Sequence, residues 1–301
     1  MRARPRTCVW LRMARQRMNL TAAMTDTSSE KQGEASLEFD LAMLTDLGTN
    51  RKNNEDCCSQ FVEAHDSVVF AVADGVGGYE GGEIASATGV ETLLQTYRDN
   101  PKAWGASRRL HRAIQNANIE IYNRALVVPE LRRMATTMTA VSVERGVLAA
   151  AHVGDCRLYL ARDGNITQMT KDHTVVGEKV RMGLLAPERA RTHPDRSKLT
   201  RSLGQELIAS VDLISMPLRF KDVLVLCSDG LHNVILEPEI LKIAGNSTPS
   251  DACRTLIDTA NERGTPDNLT VAVFKMLAPY EAQDEAPGWR DRLRNLLGRR
   301  G

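Results

Sequence analysis

Three runs of β-favouring residues follow one another in the middle of the chain, separated only by short stretches of turn residues. The runs are 136–143, 147–153 and 157–161, and the turns between them fall at 144–146 and 154–155. Segments with helical periodicity lie between such runs of strands rather than after every strand. The sequence therefore predicts an α+β protein with mainly antiparallel sheets, and not a doubly wound α/β fold.

The rest of the chain repeats this pattern of grouped strands and separate helices. Residues 67–73 form a continuous apolar run, which is typical of a strand buried on both faces. Residues 162–165, Arg-Asp-Gly-Asn, are a hairpin turn signal. Further strands are predicted at 41–47, 211–216, 223–227 and 269–275, and helices at 83–97, 106–125 and 250–263.

Composition and charge exclude several classes of protein. The 301 residues carry 39 basic and 38 acidic side chains, a net charge of +1, so nucleic-acid binding by the whole chain is not expected. No stretch approaches the roughly 20 apolar residues of a membrane-spanning helix. The six cysteines show neither CxxC spacing nor a paired pattern, so thiols in a reducing cytoplasm are favoured over disulfides or a zinc site.

The two ends of the chain differ in charge from the region between them. Residues 1–36 carry seven basic and three acidic side chains. They are interpreted as a disordered tail, or as sequence upstream of a start at Met18 or Met24, with an organellar leader as the alternative. Residues 37–276, at net charge −4, are predicted to form the folded domain. The C-terminal tail, 277–301, includes a short basic amphipathic segment for which packing or disorder is favoured over weak membrane binding.

Acidic residues gather where the predicted strands end. Several carboxylates buried together are strongly unfavourable unless cations neutralise them, and oxygen-only ligands favour Mg²⁺ or Mn²⁺. A single Asp-Gly is more often just a turn, but four acidic strand ends favour a metal site. The glycines of the Asp-Gly-Val-Gly-Gly stretch lack the spacing of a P-loop and would let the backbone approach a cation, and a flexible loop that holds no ligand is the alternative. The candidate ligands are the carboxylates of Glu55, Asp56, Asp74, Asp229 and Asp267 and the carbonyl of Gly75.

Four other residues near these acidic positions have a chemical interpretation. Arg51 is suited to bidentate capture of a phosphate, and a surface ion pair is the alternative. Asp155 is interpreted either as a turn residue or as an additional metal ligand. His152 and His173 could each donate a proton, although a lone histidine is more often structural.

Seven blocks, in register, resemble the motifs of the metal-dependent protein phosphatases (PPM, or protein phosphatase type 2C) in their short bacterial form. The resemblance extends from about residue 38 to residue 276. Tyr79, Ala135 and Cys156 depart from the residues usual in bacterial members, but none of these changes removes a metal ligand. The blocks are R-K-N-N-E-D at 51–56, D-G-V-G-G to G-E-I-A-S at 74–86, A-T-T at 135–137, V-G-D-C-R at 153–157, T-K-D-H at 170–173, S-D-G-L at 228–231 and D-N-L-T-V at 267–271.

This resemblance implies a β-sandwich of two mainly antiparallel sheets flanked by helices (α-β-β-α), with the site at one end of the sandwich. By the same resemblance, Asp74, Asp229 and Asp267 hold one metal ion. A second ion is held by Asp74 and the Gly75 carbonyl, with Glu55 acting through water. The implied cofactors are Mn²⁺ or Mg²⁺.

Other parts of the family's site also have counterparts in this chain. The resemblance implies that Asp56 orients metal-bound waters and that Arg51 binds the substrate phosphate. Asp155 and Asp229 match the ligands of a third ion that bacterial members often hold. Residues 175–203 correspond to the mobile flap near the substrate, and we call them the flap segment.

The implied activity is hydrolysis of phosphoserine and phosphothreonine esters by a water activated between two cations. Expected partners are phosphorylated proteins and a cognate bacterial Ser/Thr protein kinase, with the phosphatase acting as a monomer. The alternative is a non-catalytic phosphopeptide- or signal-binding module of the same fold. Cys156 and Arg162 have the Cys-x5-Arg spacing of cysteine phosphatases, but the residues between them are predicted to form a strand, which cannot curl around a phosphate.

Overall fold

Two antiparallel β-sheets and the helices that cover them make up the computed structural model, which describes residues 37–64, 66–76 and 81–280. The strands are β1 (Phe39–Asp46), β2 (Asp56–Ala64), β3 (Ser67–Val76), β4 (Ala135–Thr136), β5 (Met138–Glu144), β6 (Val147–Val153), β7 (Arg157–Arg162), β8 (Asn165–Gln168), β9 (Asp212–Pro217), β10 (Val223–Cys227) and β11 (Leu269–Met276). The helices are α1 (Gly82–Asp99), α2 (Ala106–Val127), α3 (Val175–Arg181), α4 (Pro187–Ala190), α5 (Asp229–His232), α6 (Glu237–Asn246) and α7 (Pro249–Glu262), with a 3-10 turn at Pro129–Leu131.

The strand order places the first and last strands side by side. The first sheet runs β1-β11-β10-β7-β8, and the second runs β2-β3-β5-β6-β9, with the short β4 pairing with β3. Every strand pair is antiparallel. The predicted α+β class with antiparallel sheets is therefore confirmed.

Three apolar clusters fill the spaces between the layers of helices and sheets. One lies between α1–α2 and the second sheet, one between the two sheets, and one between the first sheet and α6–α7. The sequence of strand β3 is apolar throughout because both of its faces are buried. Val69 and Ala71 belong to the first cluster, whereas Val68 and Phe70 belong to the second. Phe70 stacks on Phe274 of the first sheet, with ring centroids 6.2 Å apart. The layers thus follow the order α-β-β-α.

Most predicted elements are found within a few residues of their expected positions. The 162–165 signal forms a hairpin between β7 and β8, and its central residues Asp163 and Gly164 adopt positive φ angles of 51° and 76°. The predicted strand 136–143 was wrong in one respect, because it is interrupted at Thr137. Strands β2 and β8 and helices α3, α4, α5 and α6 were not predicted.

Some expectations fall on parts of the chain that the structure does not describe. The N-terminal tail 1–36, Tyr79 with the neighbouring glycines, and the amphipathic segment 289–297 lie outside the described residues. Within the described ranges, no helix is both long and apolar enough to cross a bilayer.

Candidate metal centre

The predicted acidic residues meet at one end of the sandwich. Asp56 opens β2 and is the cross-strand partner of Asp74 in β3. Asp155 lies in the turn from β6 to β7, Asp229 begins α5 directly after β10, and Asp267 precedes β11. Burial raises the pKa of Asp74, and the charges of the other four carboxylates raise it further, so each of the four acts on Asp74.

Burial and repulsion between neighbouring charges hold the pKa values of four of these carboxyl groups above the ordinary range. Burial raises the pKa of Asp56 to about 7, with Asp229 and Asp267 adding to the shift. Burial, followed by the charge of Asp267, raises the pKa of Asp229 to about 6. The pKa values of Asp74 and Asp155 are raised well above the usual carboxyl value for the same reasons. A cluster of this kind is stabilised by any cation that enters it.

The backbone around Glu55 is fixed by three hydrogen bonds. Its amide donates to Asn268 Oδ1 at 2.9 Å, and its carbonyl accepts from the Gly75 amide at 3.1 Å and from Ser86 Oγ at 2.6 Å. A Cβ at Gly82 would lie 2.6 Å from Glu55 Oε2, so glycine is required for the carboxylate to lie against the start of α1. Any side chain at Gly75 would collide with the Gly82 carbonyl. The glycine of the Gly82-Glu83 motif thus leaves the space that the Glu55 carboxylate occupies.

Two other motif blocks support Asp74 and Asp56. The carbonyl of Asp74 accepts hydrogen bonds from Thr136 Oγ1 and from the Thr137 amide, both at 2.8 Å. The break between β4 and β5 at Thr137 is what places these donors. Ser228 Oγ donates to Asp56 Oδ2 at 2.7 Å and accepts from the Thr270 amide at 3.0 Å. Asp74 and Asp56 are therefore each held by a neighbouring turn or strand.

Arg51 lies at the edge of the acidic cluster. Its guanidinium pairs with the carboxylate of Asp267 at 2.8 Å, and its Nε donates to the Pro266 carbonyl at 3.3 Å. The Arg51 side chain is 45% exposed and that of Asp267 is 30% exposed. The structure thus places Arg51 against a predicted metal ligand, with part of its guanidinium open to solvent.

Two buried histidines hold the turn that carries Asp155. The Gly154 amide donates to Nδ1 of His173 at 3.1 Å, and the His173 amide donates to the Gly154 carbonyl at 2.7 Å. His232 Nε2 donates to the Asp155 carbonyl at 3.0 Å, and burial lowers the pKa of His232 to about 3, so its ring is neutral. Sequence reasoning missed His232, because nothing in the sequence relates it to a turn 77 residues earlier.

His152 and His173, the candidate proton donors, have structural roles in this arrangement. The Nε2 of His152 donates to the Lys171 carbonyl at 3.1 Å, and burial lowers the pKa of His152 to about 4. His173 faces Asp212 at 3.3 Å, and burial lowers its pKa too. Both rings are buried. Neither histidine is placed to give a proton to a leaving group at the acidic cluster.

The residues between Cys156 and Arg162 form β7, as the sequence predicts. Cys156 is buried, and burial raises the pKa of its thiol. A thiol in this position, at the head of an extended strand, is not a phosphatase nucleophile.

The donor chemistry of the cluster fits a divalent cation. All the candidate ligands are oxygens, and Asp229 Oδ1 is a buried atom that accepts no hydrogen bond within the described ranges. Across those same ranges, no three His, Cys, Asp or Glu side chains form a closed ligand set. The side chains of Asp56 and Asp267 turn instead to Ser228 and Arg51.

Comparisons with known proteins point to one family. The family model described as protein phosphatase 2C matches residues 49–270. The serine/threonine phosphatase Stp of Listeria monocytogenes is 35% identical over 244 residues, which cover 80% of this chain and 97% of that protein.

Solved structures agree with this assignment. The Mycobacterium tuberculosis phosphatase PstP/Ppp aligns with a TM-score of 0.72 and 34% identity, over 79% of this chain and 99% of that one. The catalytic domain of PstP in complex with two manganese ions aligns with a TM-score of 0.70 and 33% identity, over 79% of this chain and 98% of that one.

Proposed function

The chain belongs to the protein phosphatase 2C family and is a metal-dependent serine/threonine protein phosphatase, and we propose that it reverses the action of a cognate bacterial Ser/Thr protein kinase. One observation carries the assignment of the site. Five carboxylates from separate strand ends meet in one cluster, and the pKa values of four of them, those of Asp56, Asp74, Asp155 and Asp229, are raised by burial and by neighbouring charges.

We propose that this cluster holds two divalent cations, Mn²⁺ or Mg²⁺. Asp74, Asp229 and Asp267 are the ligands assigned to one ion, and Asp74 with the Gly75 carbonyl to the other, with Glu55 acting through water. The unpartnered Asp229 Oδ1 and the raised pKa of Asp74 support this assignment. Asp155 and Asp229 are the ligands proposed for a third ion.

Divalent cations in such a site supply an activated water and neutralise the charge of the phosphoryl group. Arg51 is proposed to bind the phosphate oxygens, because its exposed guanidinium lies at the mouth of the cluster and can donate two parallel hydrogen bonds. Asp56 is proposed to accept hydrogen bonds from waters at the site, since Ser228 holds it in place with a 2.7 Å bond. Attack by such a water forms no covalent phosphoenzyme.

The test is hydrolysis of p-nitrophenyl phosphate and of a phosphothreonine peptide with added Mn²⁺, Mg²⁺ or EDTA. Turnover with either cation and none with EDTA is expected. A folded protein that binds phosphopeptide without releasing phosphate under every condition would favour the non-catalytic alternative. Calorimetry with Mn²⁺ then counts the ions bound per chain.

A further inference from the structure

A cleft of about 420 Å³ opens beside the metal centre, and the flap segment forms part of its wall. Asp229 and Asp267 line the cleft together with Arg191, Arg196 and Ser197. A peptide whose phosphate enters the site beside Asp229 and Asp267 therefore also lies next to Arg191 and Arg196. The cleft combines residues of the reaction site with residues that the reaction does not use.

The flap segment is basic in a domain that is otherwise acidic. It carries seven basic and three acidic side chains, although residues 37–276 as a whole have a net charge of −4. Two of these basic side chains are engaged elsewhere, since Arg181 bonds to the Asp172 carbonyl and Arg201 pairs with Asp212.

The two arginines of the cleft are different. In the described part of the chain, no carboxylate lies within ion-pair distance of Arg191 or Arg196. Arg191 donates to the carbonyls of His232 and Asn233 at 3.3 and 3.2 Å, which ties the flap segment to α5. These bonds position the Arg191 guanidinium without neutralising it. Both side chains are exposed.

We propose that Arg191 and Arg196, the flap arginine pair, form a second anion site that recognises a phosphate or carboxylate close to the phosphorylated residue of the substrate. The inference rests on the proposed function, since it names which phosphoproteins this site favours. A guanidinium stays charged at every relevant pH and matches carboxylate and phosphate oxygens in a bidentate geometry.

The size of the cleft sets the spacing between the two anionic groups. A space of about 420 Å³ is roughly 7 to 8 Å across if it is equally wide in all directions, and an extended peptide advances about 3.3 Å per residue. The second anionic group is therefore expected within about two residues of the phosphorylated Ser or Thr.

The experiment compares phosphothreonine peptides that are identical except at one position, which lies two residues away from the phosphothreonine. The flanking residue is alanine, glutamate, a non-hydrolysable phosphonate or lysine, placed on either side. Phosphate release with Mn²⁺ gives kcat/KM for each peptide, divided by the turnover of p-nitrophenyl phosphate by the same protein. The variants are Arg196→Gln, Arg191→Gln and Arg196→Glu. Arg189→Gln is the matched control, because Arg189 is an exposed arginine of the same segment that does not line the cleft.

The wild-type protein is expected to favour the anionic peptides up to about fivefold over the alanine peptide, the upper end of the effect of an exposed charge pair. Each Gln variant should reduce this preference to below about twofold, Arg196→Glu should shift it toward the lysine peptide, and Arg189→Gln should retain it. The phosphonate and glutamate arms show which anion binds better. Equal rates for all peptides, or the same loss in Arg189→Gln, would overturn the second anion site. Absence of metal-dependent turnover of p-nitrophenyl phosphate would instead overturn the proposed function, and the second anion site with it.

Discussion

Replacing Asp229 by asparagine should make the metal-free protein more stable while removing its activity. Burial and the charge of Asp267 raise the pKa of Asp229 from 3.8 to about 6. One pKa unit corresponds to 1.36 kcal/mol, so the ionised carboxylate costs the metal-free fold about 3 kcal/mol at neutral pH. Asparagine has the same shape without the charge, and its oxygen can still accept the 3.1 Å hydrogen bond from Asn233.

The expected gain in the free energy of unfolding is about 1 to 3 kcal/mol, because the new amide pays part of the same desolvation cost. For a domain of this size, that gain raises Tm by about 3 to 10 °C. The sign depends on pH in a definite way. A carboxyl whose pKa is raised on folding contributes stability that is complete below pH 4, and that contribution is lost as the pH rises through about 6. The advantage of Asp229→Asn should therefore appear between pH 4 and 6.5 and level off above that range.

Thermal and urea unfolding in EDTA, measured from pH 4 to pH 8, tests this reasoning. Asp258→Asn is the matched control, since Asp258 is an exposed residue of α7, away from the cluster. With Mn²⁺ present, the wild-type protein should gain stability and Asp229→Asn should gain little. A metal-free Asp229→Asn protein that is less stable than wild type at pH 7.5 would refute the repulsion argument.

Four other variants test separate parts of the structure. Asp74→Asn should lower metal-dependent kcat at least about 100-fold with an unchanged circular dichroism spectrum, because the proposal assigns Asp74 to both ions. Arg51→Ala should lower kcat/KM about 100-fold without weakening Mn²⁺ binding in calorimetry, since Arg51 is not a ligand but forms an ion pair with the Asp267 carboxylate. Arg109→Met should cost about 3 to 5 kcal/mol in urea unfolding, because it leaves the Glu63 carboxylate without its buried partner. A chain ending at Leu277 should sediment with anionic liposomes as little as the full chain does, at low and at high salt.

Each of these expectations has an outcome that contradicts it. Near-wild-type turnover by a folded Asp74→Asn protein would remove the two-ion assignment. Weaker Mn²⁺ binding by Arg51→Ala would make Arg51 a structural support of the cluster. An unchanged urea midpoint for Arg109→Met would show that its ion pair contributes nothing. Salt-sensitive sedimentation of the full chain alone would establish membrane binding through the C-terminal tail.

The elements that were predicted from the sequence are those whose side chains report burial directly. Strands β6 and β10 were predicted at their observed bounds, because each is a short, nearly continuous apolar run in the middle of its sheet. Strands β2 and β8 were missed although β1 and β9, which are also edge strands, were predicted. The sequence of β2 shows no clear alternation of polar and apolar residues, and β8 has only four residues.

The same distinction applies to the site. The acidic strand ends were recognisable because carboxylates next to apolar, strand-forming runs stand out in the sequence. The supporting residues Thr137, Ser228 and His232 were not recognisable, since each acts through one or two hydrogen bonds across a long sequence separation. The A-T-T block was noted only as part of a resemblance, and its reason became clear when Thr136 and Thr137 were found to hold the Asp74 carbonyl.

These supports explain how a fold can keep mutually repelling carboxylates together. Hydrogen bonds fix the backbone at Asp74 and at the Asp155 turn rather than their carboxylate groups, so the acidic side chains are brought together without being neutralised. Burial of the apolar clusters on both sides of the sheets stabilises the fold and offsets the unfavourable free energy of the charge repulsion. A cation that enters the cluster relieves the repulsion, so metal affinity and metal-free instability have the same origin. Stability and activity should therefore oppose each other at Asp229, whereas at Arg109, which pairs with Glu63 and is not a member of the acidic cluster, they should fall together.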